Sequence, residues 1–241
     1  MRAAVLFLGL SLIFFATRSQ ADGIEILANE SMPFSGLVDG KPAGMVIDIL
    51  TAVTRDGGPA FNFDFSTPWP RAQVLVLDQT DLAIVPLTRT PDREPDYQWL
   101  AELFSYRGHL VTIARRAPLK TIAEAKVLEV GVLKASGLLP TVLALGLTRL
   151  QLAASDDVNA QRMLLGRLGA WAAPEYVDRY TFERAGGDPS KLQYGPALGD
   201  EFRLYVAASP KFPATDAKAI ADGIGRLRAK GDIEKILERY R

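Results

Sequence analysis

The sequence has no cysteine, a single histidine and no run of basic residues. Without cysteine there is no disulfide frame, no thiol nucleophile and no thiolate metal site. With His109 as the one imidazole, a histidine-built zinc site or a serine–histidine–aspartate triad lacks its parts. No metal or cofactor is expected. Positive charge is not in excess either, with 28 Lys and Arg against 28 Asp and Glu. A nucleic acid partner calls for a basic stripe or cluster, so that class is set aside. Stability must then come from buried apolar surface, which 241 residues can supply.

Long apolar runs are scarce too, and the exception stands at the start. Arg2 is followed by AAVLFLGLSLIFFA over residues 3–16, and Ser19-Gln20-Ala21 gives the small-x-small pattern that signal peptidases cleave. Thr17 and Arg18 stop the run well short of the roughly 20 apolar residues a spanning helix needs. Residues 1–21 therefore read as a cleavable export signal, and no later stretch is apolar enough to span a membrane. Removing the segment takes Arg2 and Arg18 with it and leaves 26 basic against 28 acidic residues.

What remains alternates strand and helix. The run IEILA (24–28) reads as a strand, MVIDILTAVT (45–54) as a helix stopped by Gly57-Gly58, and FNFDF (61–65) as a half-buried strand. A helix over 71–77 and the buried strand DLAIVP (81–86) continue the rhythm. It restarts after Leu103 with strands over 108–114 and 127–133, a short helix over 118–125 and the tight turn Lys134-Ala135-Ser136-Gly137. Helices over 138–146 and 158–168, a strand over 169–173, a helix start at 175–180, a strand over 202–208 and an amphipathic helical tail over 214–241 complete it. This pattern predicts an α/β fold with mostly parallel sheets and helices on their faces.

The order and spacing of several segments resemble the periplasmic solute-binding proteins of the amino-acid-receptor type, the extracellular family 3. They are IEILANESMPF, DGKPAGMVIDIL with its G-hydrophobic-x-x-D pattern, STPWPRA, DLAIVPLTRTPDR and the closing helix. The resemblance implies the type II periplasmic binding fold: two α/β lobes, two crossover strands near 110–114 and 204–208, and a ligand between the lobes. The first lobe is then expected over 22–111 and 208–241, and the second over 112–207. The implied partners are a small-molecule ligand and a membrane permease of the ABC type, and the chain is expected to be a monomer.

In open α/β sheets ligands bind beyond the carboxyl ends of strands. Asn29 and Glu30, Thr88 to Arg93, Ser136 and Gly137, and Pro174 and Glu175 all fall at such ends and should share a cleft. The resemblance implies that Arg93 forks onto a ligand carboxylate, a task that suits a planar guanidinium; pairing with Asp92 or Glu94 is the plainer alternative, and Arg89 is the reserve. Thr88 and Thr90 offer hydroxyls. Trp69, held between Pro68 and Pro70, and Phe34 offer rings that either pack on a ligand or fill ordinary core. Ser136 and Gly137 offer a hydroxyl and a backbone N–H, or merely a tight turn. Asp48 reads as a structural hydrogen-bonding residue and His109 as packed or hydrogen-bonded.

The chain departs from the family in its second lobe, where amino-acid receptors present an aspartate after a strand to hold the ligand ammonium. GAWAAPEYV stands there instead, and Glu175 is one position removed; a glutamate stabilising a helix N-terminus is its plainer role. The function expected is non-enzymatic capture of a small polar, carboxylate-bearing ligand, an amino acid or a related metabolite. Two other readings use the same scaffold. One is an exported cyclohexadienyl or arogenate dehydratase-like enzyme with Glu175 as its acid; the other is a stand-alone sensor module.

Overall fold

The computed structural model describes residues 23–114 and 117–240, and the export signal expected over 1–21 lies outside them. Two five-stranded sheets form the frame. The first contains β1 (Ile24–Ala28), β4 (Phe61–Asp64), β5 (Leu82–Thr88), β6 (Gln98–Tyr106) and β12 (Phe202–Ala208), in the order β4-β1-β5-β12-β6. The second contains β7 (Gly108–Ile113), β8 (Val130–Leu133), β9 (Leu150–Ala153), β10 (Ala170–Pro174) and β11 (Leu192–Ala197), in the order β11-β7-β10-β8-β9. A hairpin of β2 (Gly36–Val38) and β3 (Lys41–Ala43) stands apart from both.

Within each sheet one strand runs against the other four. In the first sheet it is β12, antiparallel to both β5 and β6. In the second it is β7, antiparallel to both β10 and β11. These are the crossover strands of two mostly parallel sheets. The chain leaves the first sheet at Arg107 and returns to it over residues 198–201, so β7 and β12 each lie whole in one sheet. The lobe boundaries expected at 111/112 and 207/208 instead cut through these strands. A strand keeps its ladder partners along its length, so the change of sheet falls in the linking residues a few positions earlier.

Helices cover both faces of each sheet, and strand alternation sorts the side chains between them. On the first sheet, Ile26, Ala28, Ala83 and Val85 pack with α1 (Met45–Arg55), α7 (Ala214–Ala229) and α8 (Asp232–Glu238). Leu27 and Ile84 point the other way, against Trp69, Ala72 and Val76 of α2 (Trp69–Asp78). On the second, Val130, Val132, Ala170 and Ala172 pack with α3 (Ile122–Ala125) and α4 (Leu138–Ala144). Trp171 and Ala173 pack with α5 (Asp156–Leu164) and α6 (Val177–Arg184). Among the described residues, no helix is long and apolar enough to cross a membrane.

Three strands of the two five-stranded sheets escape the sequence pattern, as does the β2–β3 hairpin. In β6, QWLAELFSY, apolar groups fall on both faces with Glu102 among them, so period-2 alternation is blurred. β11 carries Gly195 and Pro196 and survives as an edge strand, where a missing N–H is tolerated. β9 has four residues. The structural reading of Asp48 holds: its Oδ2 accepts from Arg239 at 2.7 Å and from the Tyr240 hydroxyl at 3.0 Å, tying α1 to the chain's last helical turn.

The glycine of the G-hydrophobic-x-x-D pattern has a physical reason. Gly44 takes φ +113°, and a Cβ there would sit 2.8 Å from the Phe34 carbonyl oxygen and 2.9 Å from that of Pro33. Those same carbonyls accept the first amides of α1, from Val46 at 2.8 Å and Met45 at 2.9 Å. The helix start thereby fixes the loop carrying Ser31 and Phe34. Gly44→Ala is therefore expected to lower stability by about 1–3 kcal/mol in urea unfolding, the scale of a strained backbone site. An unchanged midpoint would show that the helix start does not need this conformation.

Candidate functional site

The carboxyl ends of β1 and β5 in the first lobe face those of β8 and β10 in the second, and a cavity of about 40 Å³ lies between them. Of the residues expected at the site, Asn29, Phe34, Trp69, Thr88, Arg93, Ser136 and Gly137 all line it. Trp69 reconciles its two readings: it starts α2, packs on Leu27 and Ile84, and still borders the cavity.

Two expected residues stand one position outside. Glu30 is exposed and borders an outer crevice with Met32, Asp157 and Arg184, while its neighbour Ser31 enters the cavity. Glu175 follows the last residue of β10, and its amide donates to the Arg107 carbonyl at 2.7 Å. Pro174 occupies the cavity wall in its place. Successive residues of an extended chain point to opposite sides, so a one-residue offset removes a side chain from the site.

Arg93 is held by neutral acceptors only. Its Nη1 donates to the Thr88 carbonyl at 3.0 Å; its Nη2 donates to Gln73 Oε1 at 2.9 Å and to the Ala135 carbonyl at 2.7 Å. Ala135 belongs to the second lobe, so the guanidinium bridges the two. Gln73 reinforces the bridge through Nε2 to the same carbonyl at 3.1 Å. The carbonyl is presented by the turn after β8, where Ala135 takes φ 58°. Glu94 does not pair with Arg93; it binds Arg89 at 2.5 Å, and Arg89 lies over the Trp99 and Tyr205 rings. Among the described residues no carboxylate lies within salt-bridge distance of Arg93. Burial pulls its pKa down.

The sequence reading passed over the main acid of the cavity, Asp156. It opens α5 behind Ser155, whose hydroxyl accepts from the Val158 amide, a helix-start signal legible as Ser-Asp-Asp. Asp156 is buried and borders the cavity. Its Oδ2 accepts from Ser31 Oγ of the first lobe at 3.3 Å, and its Oδ1 has no hydrogen-bond partner. Burial raises its carboxyl to about pH 6, although Ser31, Asn159 and Trp171 pull the other way. Asn159 and the Trp171 indole lie nearby without reaching hydrogen-bond geometry. Ser136 Oγ is also buried and unpartnered at the cavity wall. Tyr106, from the unexpected strand β6, meets Thr88 Oγ1 at 3.3 Å, and burial lifts its pKa to about 12.

Asp178, in the first turn of α6, is a second buried acid, raised to about 6 by burial and further by Glu175 and Asp156. Both aspartates hold their protons more tightly folded than unfolded. The stability this gives is full below about pH 4 and lost as pH rises through about 6, by about 3 kcal/mol each at 1.4 kcal/mol per pKa unit. The carboxylates lowered by their partners, such as Asp56 and Asp64, act below about pH 4 and do not overlap this window. The unliganded protein should therefore melt at a lower temperature at pH 7 than at pH 4.5, and Asp178→Asn should flatten the fall. A profile that rises over this range would refute both shifts.

Comparisons with known proteins bear on the fold and the family. No curated protein matches the sequence. Among solved structures, a histidine kinase sensor domain similar to periplasmic binding proteins superposes with TM-score 0.83 at 13% identity, covering 92% of this chain and 97% of that one. The arginine-, lysine-, histidine-binding protein ArtJ of Geobacillus stearothermophilus superposes at 0.76 and 17% identity, with 91% and 95% covered. The ancestral amino-acid-binding protein AncCDT-1, a precursor of cyclohexadienyl dehydratase, superposes at 0.75 and 14%, with 90% and 94% covered. These likenesses share the two-lobed type II periplasmic binding fold. The model of the bacterial extracellular solute-binding proteins, family 3, matches residues 24–241, and the chain belongs to that family.

Proposed function

We propose that this chain is an exported receptor that closes its lobes on a small carboxylate-bearing ligand, an amino acid or a related metabolite, and delivers it to an ABC-type permease. In this reading residues 1–21 are removed on export and the mature protein works as a periplasmic monomer. One observation carries it: Arg93 is a partly buried guanidinium that forms no salt bridge with any described residue, set at the wall of an interlobe cavity. A buried charge left unpaired is costly, and a ligand carboxylate supplies the missing partner. Three of the five guanidinium N–H groups are taken by Thr88, Gln73 and Ala135, which fixes its plane and leaves the rest for the ligand. Ser136 Oγ, buried without a partner, offers a further hydrogen bond.

The solved relatives described as amino-acid-binding support the ligand class, and the family supports transport. A dehydratase reading placed its acid at Glu175, which stands outside the cavity, and no other observation favours it. The likeness to a sensor domain favours a second reading in which closure signals rather than feeds a transporter; a permease that co-purifies with the liganded protein would decide for transport.

Closure has a steric signature. A Cβ on Gly137 would meet Thr88 Cγ2 of the opposite lobe at 2.5 Å. Thermal-shift screening of the mature protein against amino acids and organic acids should give a ligand whose stabilisation grows with its concentration, reaching about 2.7 kcal/mol at 100 times Kd. Arg93→Ala should abolish that shift, and Arg93→Lys, which keeps the charge without the fork, should weaken binding about 10- to 100-fold. Retention of the shift in Arg93→Ala would refute the carboxylate role. Gly137→Ala should leave the unliganded melting temperature within a few degrees while weakening the ligand at least about tenfold, because the lobes are wedged apart. Unchanged affinity would show that the lobes need not meet there.

A further inference from the structure

Two charged side chains border the cavity without pairing with each other, Asp156 buried and Arg93 partly buried. Arg93 approaches from the first lobe and Asp156 from the second, and neither forms a salt bridge with any described residue. Pro174, the last residue of β10, stands where the family resemblance calls for an ammonium-holding aspartate and has no such group to offer, and its acidic neighbour Glu175 does not line the cavity. We propose that Asp156, from the first turn of α5, is the cation-holding residue of this cleft, so that the ligand is a zwitterion spanning Arg93 and Asp156.

Three observations support this. Asp156 is 4% exposed yet borders the cavity, and its Oδ1 has no hydrogen-bond partner. Asn159 and Trp171 stand near it as weak polar backing, short of hydrogen-bond geometry, so neither satisfies that oxygen. Among the described residues no Lys or Arg forms a salt bridge with it, so a cation from outside is the group that would. A ligand ammonium supplies three donors and matches a carboxylate with open acceptor sites. An uncharged or anionic group there would instead leave the acid buried beside it unpaired.

The assignment also changes which lobe contacts depend on the ligand. Ser31 Oγ reaches Asp156 Oδ2 across the cleft, as Arg93 reaches the Ala135 carbonyl. Each end of the zwitterion thus falls on a group that already touches the opposite lobe. The same residue selects the ligand's amine and takes part in closure.

This inference rests on the reading that Arg93 takes a carboxylate, and calorimetry on the full mature protein separates the two. The probes are the twenty common amino acids and, for each binder, the acid lacking its amine, such as propionate beside alanine. The wild type is expected to prefer the amino acid at least about 100-fold. Asp156→Asn, close to isosteric, is expected to weaken the amino acid at least about 30-fold and to change the deaminated acid less than about threefold. Asp156→Ser, checked for its fold by circular dichroism, should show the same split if the amide variant is poorly folded. Equal loss of both ligands would assign Asp156 a structural role and overturn the inference, as would an unchanged amino-acid affinity in Asp156→Asn. A wild type that binds deaminated acids as well as amino acids overturns it while leaving the Arg93 reading intact. A wild type that binds neither class overturns both.

Discussion

The arrangement depends on a charge that the protein partly buries and pairs with no carboxylate among the described residues. Arg93 is desolvated between two lobes and held by a carbonyl of its own lobe, a glutamine side chain and a carbonyl of the opposite lobe. Neutral acceptors orient a guanidinium but do not cancel its charge, and partial burial pulls its pKa down. In the proposed function that uncancelled charge would make closure depend on ligand, since a ligand shifts the lobes only by its different affinity for the two states. The surrounding structure is consistent with this. Tyr97 donates to the Gln73 carbonyl at 2.9 Å, and Gln73 in turn supports Arg93, so aromatic packing around α2 steadies the charge.

The glycines at 44 and 137 belong to the same design. Gly44 lets the start of α1 grip the Pro33 and Phe34 carbonyls, which places Ser31 and Phe34 at the cavity. Gly137 lets the second lobe approach Thr88 closely enough for Ala135 to reach Arg93. In both places the absence of a Cβ sets the position of a polar group several residues away.

Much of this was legible beforehand, for physical reasons that differ by residue. β1, α1, β5, β10 and β12 have clear periodicity because they are buried on both faces or on one clean face, and Arg93 sits in the TRTPDR stretch that carries the family resemblance. Strand ends were also legible, which is why Asn29, Thr88, Ser136 and Gly137 reach the cavity as expected. Side-chain direction was less so: Glu30 and Glu175 fall one residue from Ser31 and Pro174, and a strand's two-residue period makes that offset decisive. Asp156 was hidden because helix α5 reads from Val158 by apolar spacing, which leaves its capping turn looking like loop. Tyr106 was hidden with β6, whose two apolar faces reflect burial between β12 and the helices rather than a surface.

The topology has a bearing on how such a chain is made. β12 lies between β5 and β6, yet it is about 100 residues beyond β6 in sequence, because the whole second lobe intervenes. Until Phe202–Ala208 arrives, the first sheet is split into two pieces with unpaired edges facing each other. A nascent chain therefore cannot complete its first lobe early; the segment that seals it emerges from the ribosome only after the whole second lobe. The second lobe, continuous from β7 to β11, has no such wait. Order of synthesis and order of completion are thus inverted, and the lobe carrying Arg93 is the one finished last.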